Sequence, residues 1–465
     1  MHKLLPLFCF ACLQGCAVGP DFEVPEHSKV TNFMGAAATP QSEALAGWKQ
    51  IYSDPHLQKL ISQALVNNQD MLIAQSKIIE ARARYRITDA ALWPDVSIGL
   101  TSEREEELNS SPENSFDLKG YLSWELDLFG SNRRASEAAL ANYYSQEQAR
   151  NALQLALIAD VAQQFFALKE VEEQLKISLS TIKLREKELE IARIRKKGGI
   201  ISGLEQRQAE VELESAKVKI PPLQHSERRI INQLKFLIGD ANADVQGGNE
   251  LSVQTLPKQL PTGLPSELLK HRPDVQQAMY QWQAAMAEIG VAKAALFPKL
   301  NLYAELGSES TDFSDLLASN SQVWLLGSEL LMPIFNMGRN QANLTVAEQR
   351  AYQASIKYQK TVLVALQEVS NQLSNYQSAE QSYDAQRSLV LSSQDYYRLA
   401  RLRYSNGVAS SLDLMDAQRQ LFSAEIALSQ AKNDRLQSLA TLYKALGGGW
   451  YELSEQELEK EKVVD

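Results

Sequence analysis

The chain has 465 residues, 44% hydrophobic and 22% charged, the balance of an ordinary folded protein, and length alone suggests about three domains. A formal charge of -10 argues against nucleic-acid binding, which calls for basic patches. No run of 18 or more apolar residues occurs, so no segment is built as a membrane-spanning helix.

The chain opens on a processing signal. His2 and Lys3 form a weakly basic head, Leu4 to Leu13 is apolar but too short to span, and Leu13-Gln14-Gly15-Cys16 resembles a bacterial lipobox. Residues 1–15 then form the leader, and Cys16 becomes the acylated first residue of the mature chain. The alternative is a plain secretory signal cut elsewhere. Ala17 rather than Asp follows, which in such lipoproteins fits sorting to the outer membrane. Cys9 and Cys12 fall in the leader, so the mature chain keeps one cysteine and forms no internal disulfide.

Residues 16–47 are rich in Pro, Gly and Ala and read as an extended arm. A helix from about Leu57 to Leu92 follows, started by Asp54-Pro55 and stopped by Trp93-Pro94. The period then changes. Val96, Ile98 and Leu100 alternate with polar residues, and after a polar loop Phe116, Leu118, Leu122, Trp124, Leu126 and Leu128 do the same. The strands are placed at about 95–104 and 116–129. A half-buried soluble strand gives the same alternation, but the second run is long for one, and its length and Trp124 favour a membrane strand.

A long helix starts near Ser136, with Val161, Leu168, Leu175, Ile182 and Leu189 seven apart. Gly198-Gly199 breaks it, and a return helix carries Leu204, Val211 and Val218 at the same spacing. Pro221-Pro222 interrupts that return helix, which resumes to Leu237, so the hairpin covers about 136–238. A connector spans 241–265. Ser266 reads as the N-cap of a helix running to Leu296, and Phe297-Pro298 stops it. Two further alternating runs predict strands at about 299–307 and 322–333. The last hairpin spans about 339–446: Val362, Val369, Tyr376, Tyr383, Val390, Tyr397 and Tyr404 are spaced by seven, and Leu414, Leu421 and Leu428 alternate with Ala417, Ala424 and Ala431 in the return arm. A 3.5-residue apolar period marks a left-handed coiled coil. Asn406-Gly407 tolerates the left-handed backbone of the turn. Residues 451–465 form a charged tail.

The order helix, strand, strand, helical hairpin occurs twice, over residues 48–240 and 266–450. Asp89-Ala90-Ala91-Leu92-Trp93-Pro94 answers Lys293-Ala294-Ala295-Leu296-Phe297-Pro298 at an offset of 204, and Gly199 and Leu204 answer Gly407 and Leu412 at an offset of 208. A period near 200 is a duplication of a whole unit. Four strands in lipid cannot close on themselves, and about eight is the smallest barrel, so copies must pool strands: 8 for a dimer, 12 for a trimer, 16 for a tetramer.

Cys16-Ala17-Val18-Gly19-Pro20-Asp21-Phe22, Trp48 with Asp54-Pro55, Arg272-Pro273-Asp274-Val275, Ser123-Trp124-Glu125-Leu126-Asp127-Leu128-Phe129-Gly130 and Leu442-Tyr443-Lys444-Ala445-Leu446-Gly447-Gly448-Gly449-Trp450 resemble the outer-membrane factor family of bacterial efflux systems, in its lipoprotein branch serving resistance-nodulation-division pumps. The resemblance spans almost the whole chain. It implies a mainly α fold with a membrane β-barrel part, a homotrimer with a 12-stranded barrel in outer-membrane lipids, and a periplasmic α-helical barrel. It also implies two partners, a periplasmic adaptor and an inner-membrane transporter, and an exit duct for drugs or other small toxic compounds. By the same resemblance Asp413 and Asp416 form acidic rings at the periplasmic aperture, Tyr404 helps tie it closed, and the tips at Gly198, Gly199, Asn406 and Gly407 contact the adaptor. Some members carry a basic residue at the position of Ala409. Acids in the first turn of a helix also have a plain structural reading. A duct for type I protein secretion and a lipid-tethered spacer without a pore are the alternatives.

No pattern points to catalysis. Five histidines are scattered without ligand spacing, no Gly-rich phosphate loop or nucleophile elbow occurs, and carboxylates lie among Lys and Arg. Neither a metal nor any cofactor beyond the lipid on Cys16 is expected.

Overall fold

A computed structural model describes residues 17–23, 47–106, 112–254 and 271–448. The expectations for the leader, Cys16, most of the arm, the Ser266 cap and the charged tail lie outside these residues. In chain order the elements are α1 (Trp48–Ile51), α2 (Pro55–Asn67), α3 (Gln69–Ala90), β1 (Asp95–Glu105), β2 (Glu113–Leu126), α4 (Ser131–Lys197), α5 (Gly203–Lys217), α6 (Ile220–Ile238), α7 (Pro273–Ala294), β3 (Lys299–Ser310), β4 (Gln322–Leu331), α8 (Arg339–Ser405) and α9 (Ser411–Ala445), with short 3-10 turns between some of them. The residues gather into two compact units, and each draws on both copies of the repeat.

The first unit holds the described residues among 17–26, with 75–149 and 274–361. Its centre is one antiparallel sheet in the order β1-β2-β3-β4. The register pairs Ile98 with Gly120, Gly120 with Leu306 and Leu306 with Trp324, so even-numbered residues of all four strands share one face. Outside the sheet, α4 and α7 pack through Ala138, Ala141, Ala284 and Ala287, small residues that let two helix backbones approach. Asp127 closes the step from β2 to α4: its carboxylate accepts the backbone N–H groups of Asn132 at 3.1 Å and Arg133 at 2.9 Å, two of the orphan donors at a helix start. β2 therefore ends at Leu126, short of the expected 129, and α4 begins at Ser131 rather than near Ser136. The Gly19-Pro20-Asp21-Phe22 segment docks here. Asp21 pairs with the buried Arg134 at 2.6 Å, Gly19 lies against Gly290, and Phe22 meets Trp282 edge-on.

The second unit holds 47–74, 150–254, 271–273 and 362–448 of the described chain. Its core joins Trp48, Leu57, Leu60 and Ile61 to Ile158, Phe165, Leu168, Leu234, Ile238, Leu439 and Tyr443. Asp54 organises one edge: it caps α2 through the N–H groups of His56 and Leu57 and also accepts from Asn249 N–H at 2.8 Å and Gln254 at 2.7 Å. Arg272 closes the far end of the chain, donating to the Ala445 carbonyl and to Glu368, each at 2.7 Å. The single helix expected from Leu57 to Leu92 is two helices. Asn68 interrupts it, accepting from the N–H groups of Asp70 and Met71 as a new N-cap while its amide donates to Leu237. The prolines 221 and 222 sit in the first turn of α6, where a missing N–H costs nothing.

The heptad residues of α8 and α9 are buried or half-buried. In the return arm of the first hairpin the heptad-spaced stripe is not the seam buried within the chain. Leu204, Val211 and Val218 are each more than 60% exposed, and Ala209, Leu213 and Ala216 form the buried seam instead.

Candidate functional site: a two-faced sheet and two matched hairpin tips

In the sheet, alternation becomes chemistry. The even face is apolar and open to its surroundings: Val96, Ile98, Leu100, Leu306, Trp324, Leu326 and Leu330 are all exposed, Ile98 at 79% and Trp324 at 77%. A soluble fold would bury such a face; a lipid-facing strand presents it. The odd face carries the carboxylates Asp95, Glu103, Glu105, Glu113, Asp117, Glu125, Glu305, Glu309 and Glu329 against the two lysines Lys119 and Lys299. Both lysines are paired, Lys119 with Glu309 at 2.9 Å and Asp117 at 3.0 Å, and Lys299 with Glu125 at 3.0 Å. That face therefore keeps a net negative charge. β1 and β4 lie at the edges of the sheet, each with one neighbouring strand.

The hairpin tips are two copies of one turn. Gly199 and Gly407 take φ of 69° and 71°. The N–H of Ile200 reaches back to the Arg195 carbonyl at 2.9 Å, and that of Val408 to Arg403 at 2.9 Å. The glycine N–H groups bond Lys196 and Tyr404 at 3.0 and 3.1 Å, completing a Schellman motif each time. Gly198 donates to the Ile194 carbonyl, and the Asn406 amide to that of Leu402. Ser202 and Ser410 then cap the return helices, accepting from the N–H groups of Glu205 and Asp413.

Asp413 is engaged locally. Its carboxylate accepts the Ser410 N–H at 3.0 Å and hydroxyl at 2.9 Å, a full capping box, and these two bonds hold its pKa below the ordinary carboxylate value. Asp416 accepts from Arg419 at 2.6 Å and Gln420 at 2.8 Å, and Arg419 also approaches Glu212 at 3.8 Å. Tyr404 links the hairpins: Arg195 donates to its hydroxyl at 2.8 Å, with the guanidinium 5.2 Å from the ring centroid. Ala409 carries no charge; the cation that engages Tyr404 is Arg195, on the other hairpin, which its sequence position does not single out.

About three turns along α4 from Arg195 lies a further seam missed from sequence. Arg185, 4% exposed, donates to the Glu212 carbonyl, pairs with the Glu212 carboxylate at 3.1 Å and covers Phe422. Gln418 donates to Glu188, whose pKa is pushed up by burial. Their only sequence signal is polarity at positions near the heptad seam.

Among the described residues no group of three or more His, Cys, Asp or Glu could hold a metal ion, and no helix is long and apolar enough to cross a membrane. The family model described as outer membrane efflux protein matches residues 60–240 and 264–448. The toluene efflux pump outer membrane protein TtgC of Pseudomonas putida is 39% identical over 459 residues, covering 96% of this chain and 95% of TtgC. The probable outer membrane lipoprotein SilC of Salmonella typhimurium is 32% identical over 97% of this chain and 99% of its own. The open state of the Neisseria gonorrhoeae MtrE outer membrane channel superposes with a TM-score of 0.88 at 34% identity, covering 94% of this chain and 99% of that one. A sheet with one lipid-type face and one charged face, joined to long helical hairpins, is the plan of an outer-membrane channel. The chain belongs to the outer membrane efflux protein family.

Proposed function

We propose that this chain, an outer-membrane efflux channel, is the passive exit duct of a tripartite pump for drugs or other small toxic compounds. Three copies pool four strands each into a 12-stranded barrel, and their hairpins form a periplasmic α-barrel. The observation that carries this reading is the sheet itself: an exposed apolar face, a charged face behind it, and edge strands that lipid does not tolerate unpaired. An adaptor meets the tips at Gly198-Gly199 and Asn406-Gly407, and an inner-membrane transporter of the resistance-nodulation-division type supplies the energy. Cys16 carries the acyl anchor. Tyr404 with Arg195 restrains the aperture, and Asp413 and Asp416 lie beside it. The net negative face of the sheet makes the duct cation-preferring.

The test is conductance of the purified protein in planar bilayers, with drug susceptibility of a strain lacking the gene. Stepwise, cation-preferring currents from a heat-modifiable trimer are expected, together with lowered drug tolerance. A water-soluble monomer without conductance would overturn the reading.

A further inference from the structure

We propose that an open cavity lined by α4, α8, α9 and the 3-10 turn Leu251–Val253 binds a small organic cation, an ammonium on an apolar body, with Glu425 as its counter-ion. Its residues belong to neither the sheet nor the hairpin tips, and the site goes beyond the duct reading.

The cavity has a volume of about 490 Å³, within the range of small-molecule sites, and its lining comes entirely from the second unit. Four carboxylates face three ammonium groups in it. Lys169 pairs with Glu172 at 2.7 Å, Lys432 with Glu173 at 2.7 Å, and Lys176 with Glu250 at 2.8 Å. Lys169 is also held over the Phe165 ring, 5.5 Å from its centroid. The fourth carboxylate is Glu425, which among the described residues has no hydrogen bond or ion pair. Burial alone pushes its pKa above the ordinary carboxylate value. Ile177, Leu251, Val390 and Leu428 supply the apolar part of the lining. A carboxylate that has lost hydration without gaining a partner is stabilised by a cation brought to it, and apolar contacts favour one with a hydrocarbon body. Among the described residues no cluster of ligands suits a metal ion instead.

The first copy of the repeat shows that helix packing does not require this acid. At the offset of 208, Ala209 and Ala216 answer Ala417 and Ala424, and all four are buried. The residue after the second alanine is Lys217 in one copy and Glu425 in the other, and Lys217 pairs with Glu214 at 2.9 Å. The same alanine seam therefore packs beside either charge. With the three lysines already paired, one negative charge is left over, so an incoming cation is attracted and an anion repelled. An occupant would touch α4 of the first hairpin and α8 and α9 of the second, bridging the two.

The experiment titrates the full chain in lipid nanodiscs, by calorimetry against empty discs, with three probes that share one apolar body: phenylbutylamine, phenylbutanol and phenylbutanoate. The amine should bind at least tenfold more tightly than the carboxylate, with the alcohol between them. Glu425→Gln keeps the size of the side chain and should weaken amine binding at least fivefold while leaving the alcohol unchanged. Gln394→Lys, at an exposed position on the cavity wall, adds a fourth ammonium and should weaken the amine alone in the same way. Unaltered conductance reports that both variants fold. Equal binding of the three probes, no binding of the amine, or an amine affinity untouched by Glu425→Gln would each overturn the proposal. Conductance of the unsubstituted protein tests the duct separately, so an empty cavity leaves that reading standing.

Discussion

Arg195, in the last turn of one long helix, donates a 2.8 Å hydrogen bond to the hydroxyl of Tyr404, in the last turn of the other. A charge-assisted bond between half-exposed partners is worth about 1 kcal/mol after solvent screening. Tyr404→Phe removes the bond and keeps the ring, so the closed state of the tip should lose roughly a fivefold margin in its equilibrium. Single-channel recordings should show greater open probability in Tyr404→Phe, with no further gain from Arg195→Ala beyond the cation–π contribution. Unchanged recordings in both variants would exclude the pair as a restraint.

Asp413 has a second duty that any gating experiment must separate. Its carboxylate completes the capping box of α9. Asp413→Ala should speed amide exchange in the first turn of α9, and Asp413→Glu, which keeps the box, should restore protection. Because its folded pKa is depressed, this contribution is present above the unfolded value and disappears as pH falls through the lower folded value. A conductance change seen in Asp413→Ala and absent from Asp413→Asn, which keeps an acceptor for the cap but no charge, reports the cap, and one seen in both reports the charge at the aperture.

The Asp54 carboxylate accepts four hydrogen bonds within the second unit. Burial alone would raise its pKa; the bonds from Asn249, Gln254, Leu57 and His56 together outweigh burial and lower it. Asp54→Ala leaves these donors without their acceptor and should cost about 3 kcal/mol, read as a lower denaturant midpoint. The sign of the linkage follows from the depressed value: its stabilisation is complete above about pH 4 and is lost on further acidification. A wild-type acid transition unmoved by the substitution would rule out this role.

Gly307 is held by backbone rather than by a movable side chain. A Cβ there would lie 2.1 Å from the Leu118 carbonyl oxygen and 2.6 Å from the Lys119 Cα, whereas at Gly327 it would meet the far end of the Tyr303 ring. Gly307→Ala should cost about 3 kcal/mol and deplete the heat-stable oligomer on semi-native gels; Gly327→Ala should be milder, since Tyr303 can swing away. Equal behaviour of the two would contradict the register of β2 on β3.

The strands were readable because lipid on one side and water on the other impose a period of two, and register then put every odd residue on one face. The turns were readable because they occur twice. Burial in α5 was not: Leu204, Val211 and Val218 show that a heptad stripe exists, but spacing does not say which side of the helix meets its neighbour within the chain, and Ala209, Leu213 and Ala216 hold that contact. Asn68 reads as an ordinary helix residue until Leu237 engages its amide. The Arg272-Pro273-Asp274-Val275 motif was visible, while its role was hidden because Ala445 is 173 positions away. Arg195 escaped notice for the same reason, its partner lying 209 residues downstream.

The interleaving of the two copies has a consequence for biogenesis. An exported chain emerges amino end first, and Asp54 must wait for Asn249, then Arg272 for Ala445. Neither unit can be finished by the first copy alone, since one needs residues 274–361 and the other 362–448. Most of the polypeptide must therefore be shielded from aggregation and proteolysis until its carboxyl-terminal quarter is delivered, and a stop codon after the first copy leaves nothing that can mature.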